Sequence, residues 1–196
     1  MKRVSSIKGV ANLLLLALFA AAFVVTIPDF EAGAYVEGRC KFAGTNPTID
    51  YRFYAVASIY QSAFNSGQSA WDSTAAPGYF RYSPSDPDPE INVYEFWDTA
   101  GPLAFIAGGC PSGTGQTWNN DEVNISFNDY RLADDTTTER KLTAIHELGH
   151  AYGLQHEAKS CGHKAVMANN SRWVMNNCDD PYAPYADDIA GVIFHY

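Results

Sequence analysis

The chain has 196 residues, 46% of them hydrophobic and 18% charged, with a formal net charge of −9. That length suits one domain with a real core and excludes two of ordinary size. The excess of acid over base, with no cluster of Lys and Arg, argues against a nucleic-acid partner; it reads as acidity that keeps a protein soluble rather than as a surface built for a cationic substrate.

Lys2, Arg3 and Lys8 precede an apolar run of 13 residues over positions 13–25, and Ala32-Gly33-Ala34 offers a small-x-small cleavage site. Residues 1–34 are therefore expected to be a signal peptide, because the run is shorter than the roughly 20 residues that a membrane-spanning helix needs. Ala20-Ala21-Ala22 is a competing cut, and an uncleaved tether is the alternative. The domain is then 35–196, with 10 Lys and Arg against 20 Asp and Glu. It holds all four cysteines. An even number in an exported chain implies two disulfides with three connectivities to choose from. The favoured one joins Cys161 to Cys178 across a local loop, leaving Cys40 for Cys110. Four thiolates on a zinc ion is the other reading, which the lack of any C-x-x-C pair disfavours.

Residues 49–53 alternate as a strand does, after which the period changes. Val56, Ile59, Tyr60, Ala63, Phe64, Gly67, Ala70 and Trp71 recur at three and four, which predicts a helix with one apolar face. Residues 79–82 and 91–96 are rich in aromatic and β-branched side chains and read as strands joined by a Pro-rich loop. Residues 103–107 form a further apolar strand, and the Gly-rich 108–115 is irregular. Val123, Ile125 and Phe127 alternate with Asn124, Ser126 and Asn128, which predicts a strand with one wet face. Thr136 and Glu139 have capping-box spacing, and Leu142, Ile145, Gly149 and Tyr152 then share a helix face until Gly153. Loops follow to Pro184, and residues 187–196 read as a closing helix with Ile189, Val192 and Ile193 inward. The order implies an α+β domain with a mixed sheet carrying helices.

The chemistry lies in His146-Glu147-Leu148-Gly149-His150. Side chains four apart on a helix differ by about 40° in direction, so His146 and His150 face one ion from adjacent turns. Glu147 points to one flank of that pair, where its carboxylate can accept a proton from water without occupying the metal. His156 on a continuing helix would point about 120° away from His150, so the helix must end between them. Gly153 stands where that break is needed, since glycine takes the left-handed conformation at little cost. The five fixed positions of H-E-x-x-H-x-x-G-x-x-H would arise in a shuffled chain of this composition on the order of once in a hundred thousand times. Three neutral imidazoles and a water make the open tetrahedral site that zinc favours.

This motif resembles that of the metzincin zinc peptidases, and within them the matrixin-like group, over most of residues 49–196. The resemblance implies a metzincin-like catalytic domain: a mixed twisted β-sheet, an active-site helix, a backing helix and a small C-terminal loop and helix subdomain. It implies a secreted zinc metalloendopeptidase with His146, His150 and His156 on the metal and Glu147 as general base. Ala165-Val166-Met167 is similar to the Met-turn that places a methionine beneath the zinc, with Met175 as a rival for that role. Residues 102–108 are similar by position to the edge strand on which these enzymes lay out an extended protein or peptide substrate through main-chain hydrogen bonds. Residues 187–192 resemble the matrixin C-terminal helix. The departures are specific: Glu157 follows the astacin pattern, Leu154 the matrixin one, and Asn169 stands where astacins have a tyrosine ligand. No histidine lies between Tyr35 and Ile145, so a second, structural zinc cannot be built as in many matrixins. A structural calcium on Asp86, Asp88 and Glu90 competes with a plain solvated loop. The matrixin inhibitory segment is missing, so Cys40 is expected in a disulfide and not in latency. A monomer is expected, off the membrane once the signal is cut. A non-catalytic secreted binding or adhesion module on the same scaffold is the alternative from another class. Thermolysin-like enzymes take a distant glutamate as third ligand, which His156 disfavours.

Overall fold

The computed structural model describes residues 36–37, 40–113, 115–158, 161, 165–169, 176–178 and 183–196. The expected signal peptide and Met175 lie outside them. In chain order the elements are β1 (Val36–Glu37), β2 (Cys40–Lys41), β3 (Thr48–Phe53), α1 (Ser58–Asp72), β4 (Tyr79–Tyr82), β5 (Ile91–Phe96), β6 (Ala104–Ala107), β7 (Gln116–Thr117), a 3-10 turn (Asn119–Asp121), β8 (Val123–Asn128), α2 (Asp129–Leu132), α3 (Thr137–Ala151), β9 (Leu154–Gln155) and α4 (Ala186–His195). None of the helices among the described residues is long and apolar enough to cross a membrane.

The main sheet has five strands in the order β4-β3-β5-β8-β6. The first four run parallel and β6 closes one edge antiparallel to β8. Register places Tyr51, Ile91 and Val123 in one row and Phe53, Val93, Ile125 and Ile106 in the next, all on the same face. That face packs on α1 and α3 in a single cluster with Tyr60, Phe64, Trp71, Leu142, Ile145 and Leu148. Ring contacts carry the packing: Tyr51 meets Phe64 at 4.8 Å, and Tyr60 stacks on Phe127 at 5.8 Å. The two helices are also tied by the buried Trp71 indole, whose Nε1 donates to the Ile145 carbonyl at 2.9 Å.

α3 begins as its sequence requires. Thr136 Oγ1 accepts from the Glu139 amide at 3.2 Å, and Glu139 Oε2 accepts from the Thr136 amide at 2.9 Å, which satisfies two N-terminal donors reciprocally. The face of β8 expected to be wet is not. Asn128 is fully buried, its amide donating to the Asp98 and Pro102 carbonyls at 2.8 and 2.9 Å while its oxygen accepts from the Asp98 amide. Alternation marks the two faces of a strand, but a loop folded over the polar face can bury it if every hydrogen bond is met. α4 also departs from expectation in phase: Asp188, Val192 and His195 point inward, whereas Ile193 is exposed. A buried carboxylate needed elsewhere sets that rotation, not the apolar pattern.

Two short pairings lie outside the main sheet: β1 runs antiparallel to β9, and β2 parallel to β7. None of these four two-residue strands is visible as a periodic signal. Cys40 is bonded to Cys110 and Cys161 to Cys178, the favoured of the three connectivities.

Candidate metal centre

α3 presents His146 and His150 from adjacent turns, and the helix stops where the third histidine requires it. Ala151 is its last residue, Tyr152 caps it, and Gly153 follows at φ 100° with its amide donating to the His150 carbonyl at 2.9 Å. That backbone region disfavours residues with a β-carbon, so glycine is the residue that allows the turn. The chain then reverses through β9 and carries His156 back: its Nε2 lies 2.9 Å from His146 Nε2 and 3.1 Å from His150 Nε2. These three histidines form the one group of His, Cys, Asp or Glu among the described residues that converges tightly enough to hold a metal ion.

Hydrogen bonds on the far side of two rings decide what that convergence means. His146 Nδ1 donates to the Val166 carbonyl and His150 Nδ1 to the Leu154 carbonyl, each at 2.7 Å. Both Nε2 atoms therefore carry lone pairs, and one proton on His156 Nε2 cannot bridge to both. Lone pairs gathered at this distance repel unless a cation lies among them, so the residues fit a metal ion that prefers imidazole ligands. Burial reinforces the neutral form. It pushes His146 down to about 3, helped by the neighbouring His150, and His150 down to about 4; His156 is lowered by the same cause.

Glu147 is buried next to His146, and burial pushes its carboxyl up to about 8. A bound dication beside it would favour the ionised form instead. His146, Glu147, His150 and His156 all line a cleft of about 520 Å³, walled on one side by Pro102, Leu103 and the strand β6, and on the other by Ala168 and Asn169. β6 pairs with β8 on one side and has no strand partner on the other among the described residues.

Met167 packs against α3. A β-carbon on Gly149 would stand 2.3 Å from its sulfur, so the thioether occupies the space that the missing side chain of Gly149 leaves on the helix. The turn around it is held from three sides. The Glu157 amide donates to the Met167 carbonyl at 3.1 Å and the Asn169 amide to the Glu157 carbonyl at 3.0 Å, which ties the turn to the residue after His156. Val166 binds the His146 ring. Asp188, fully buried, accepts from the amides of Val166 at 3.0 Å, Met167 at 3.3 Å and Tyr185 at 2.8 Å. Asp188 is a structural member of the site that the sequence pattern did not single out, since nothing in a helix-start aspartate announces a second set of amides to accept.

Asp86, Asp88 and Glu90, weighed as a calcium site against a plain solvated loop, are not among the described groups that converge: Glu90 accepts from the Asp50 amide at 2.7 Å, and Asp86 from the Asp88 amide at 3.0 Å. Cys40, expected outside any latency device, is sealed in its disulfide.

No family model matches the chain, and no curated protein matches it. Among solved structures it is similar to two of myroilysin. One is 23% identical over 61% of this chain and 52% of that chain, with a TM-score of 0.40. The other is 20% identical over 74% of this chain and 71% of that chain, with a TM-score of 0.42. The chain thus spans about half the length of the first of these.

Proposed function

We propose that this chain is an exported zinc metalloendopeptidase of metzincin type, with His146, His150 and His156 holding the metal and Glu147 as general base. The observation that carries the reading is the convergence of three Nε2 atoms, two of them fixed as acceptors by their Nδ1 bonds, beside a buried carboxylate in an open cleft. Zinc bound there supplies Lewis acidity, which makes water acidic enough to attack at neutral pH and polarises the scissile carbonyl. The free edge of β6 receives the substrate as an added strand, whose main-chain bonds hold the scissile peptide over the imidazoles. Glu147 takes a proton from the attacking water, holds it on its buried carboxyl and passes it to the departing amine nitrogen. Nδ1 bonds to Val166 and Leu154 keep both helical rings in the ligating tautomer throughout. Met167 packs against Gly149 on the ligand-bearing helix, and no covalent acyl-enzyme is needed.

The test is to incubate the zinc-loaded chain with casein and a mixed peptide library, with and without a zinc chelator, beside Glu147→Ala. Chelator-sensitive cleavage is expected, with full zinc content but a turnover loss of about 10²–10⁴-fold in the variant. Equal cleavage by the variant removes the general-base assignment. A zinc-replete wild type that cuts nothing would favour the non-catalytic binding module.

A further inference from the structure

The turn that separates the second and third histidines is closely packed where Gly153 lacks a side chain. A β-carbon on Gly153 would stand 2.5 Å from the Cys40 carbonyl oxygen and 2.5 Å from His195 Nε2. α4 therefore delivers an imidazole to the point where any other residue's side chain would begin. His195 is 7% exposed and shares the inward face of α4 with Asp188 and Val192. It is one of five histidines in the chain and is not in the metal group.

Its own position is held by β2 and the residue after it. Lys41 Nζ donates to the His195 carbonyl, the same ammonium lies 4.7 Å above the Tyr196 ring, and the Phe42 amide donates to the Tyr196 hydroxyl at 2.9 Å. The disulfide of Cys40 anchors the start of this strand. Between Gly153 and His156 lies only β9, a strand of two residues paired to β1 and unable to order itself. Ordering a ligand on so short a segment costs conformational entropy that contacts from outside must offset.

We propose that His195 is a positioning residue for the metal centre: its imidazole, seated against Gly153, braces the turn so that His156 meets the two histidines of α3. The inference rests on reading the three imidazoles as a zinc site, and not on peptide hydrolysis. The experiment compares the full chain with His195→Ala, His195→Gln, Lys41→Met and Val192→Ala, each loaded with zinc. It follows zinc transfer to a chromogenic chelator, the absorption bands of the cobalt-substituted forms, and thermal unfolding of the zinc-free forms. His195→Ala should release zinc about tenfold faster or more and shift the cobalt bands, with Gln restoring most of both. Val192→Ala should lower the unfolding midpoint without speeding release. Lys41→Met should speed release to a smaller extent, and it carries the test should His195→Ala fail to fold. Wild-type release rates in His195→Ala or, where that variant does not fold, in Lys41→Met overturn the proposal, as does equal acceleration by Val192→Ala. A wild type that binds no zinc at all would instead defeat the metal-site reading, and the brace with it.

Discussion

α3 and the segment that follows it bring histidines to one place by opposite means. His146 and His150 sit on a capped helix of 15 residues whose own hydrogen bonds set their relation, so the helix needs only to be docked. His156 follows a strand of two residues, after Gly153 and the contacts that His195 and Cys40 make there, and beside the bonds between Glu157 and the Met167 turn. A pair of facing imidazoles is thus a local property of helix geometry, whereas the arrival of the third histidine is a property of the whole tertiary structure.

The largest expected effect that probes this contrast comes from the disulfides. Replacing Cys40 and Cys110 with serine opens a link between residues 70 apart and should cost about 4 kcal/mol by chain entropy; opening Cys161–Cys178, 17 apart, should cost about 3 kcal/mol. Denaturant unfolding measures both. Zinc loss in the first variant should exceed that in the second, because Cys40 backs Gly153; the reverse order would break the comparison. Next in size is Gly153→Val, which combines a left-handed backbone with two close contacts. Zinc affinity should fall about 10- to 100-fold while helix content by circular dichroism stays, and full zinc content would argue against the helix-break account. Thr136→Ala removes the cap of α3 and should lower stability by about 1 kcal/mol without changing zinc affinity, since the ligand pair lies far from that end. A change in zinc affinity there would mean that the helix is less self-sufficient than the contrast requires.

The remaining effect concerns pH. Burial outweighs the three amide bonds to Asp188 and pushes its carboxyl up to about 6 from an ordinary 3.8. Between those values the folded chain holds a proton that the unfolded chain has lost, so this group's contribution to stability declines as pH rises through the window and stays at the lower level above it. Asp188→Asn cannot titrate, and the difference in stability between it and wild type should vary across pH 4 to 6 and flatten beyond. A difference that stays constant from pH 4 to 7 would remove the assignment.

Much of this fold is legible along the chain because its elements obey short-range periods. The helix over α1, the strands β3, β4, β5 and β8, the capping box and the glycine stop all follow from spacing and residue type. The errors share a cause. Asn128 alternates like a solvent-facing residue but is buried under the 98–102 loop, and Ile193 looks like core but is turned out by the buried Asp188. β1, β2, β7 and β9 have two residues each, too few for any period to register.

The sequence by itself determined the facing pair of helical histidines, the adjacent carboxylate and the need for a sharp turn at Gly153, because each depends on residues within about two helical turns of one another. Tertiary structure alone decided which carbonyls fix the His146 and His150 tautomers, what sits beneath Gly149, and that Asp188 and His195 of the closing helix reach the turns bearing the site. These partners are separated in the chain by loops whose path no local pattern specifies, and only close packing brings them together.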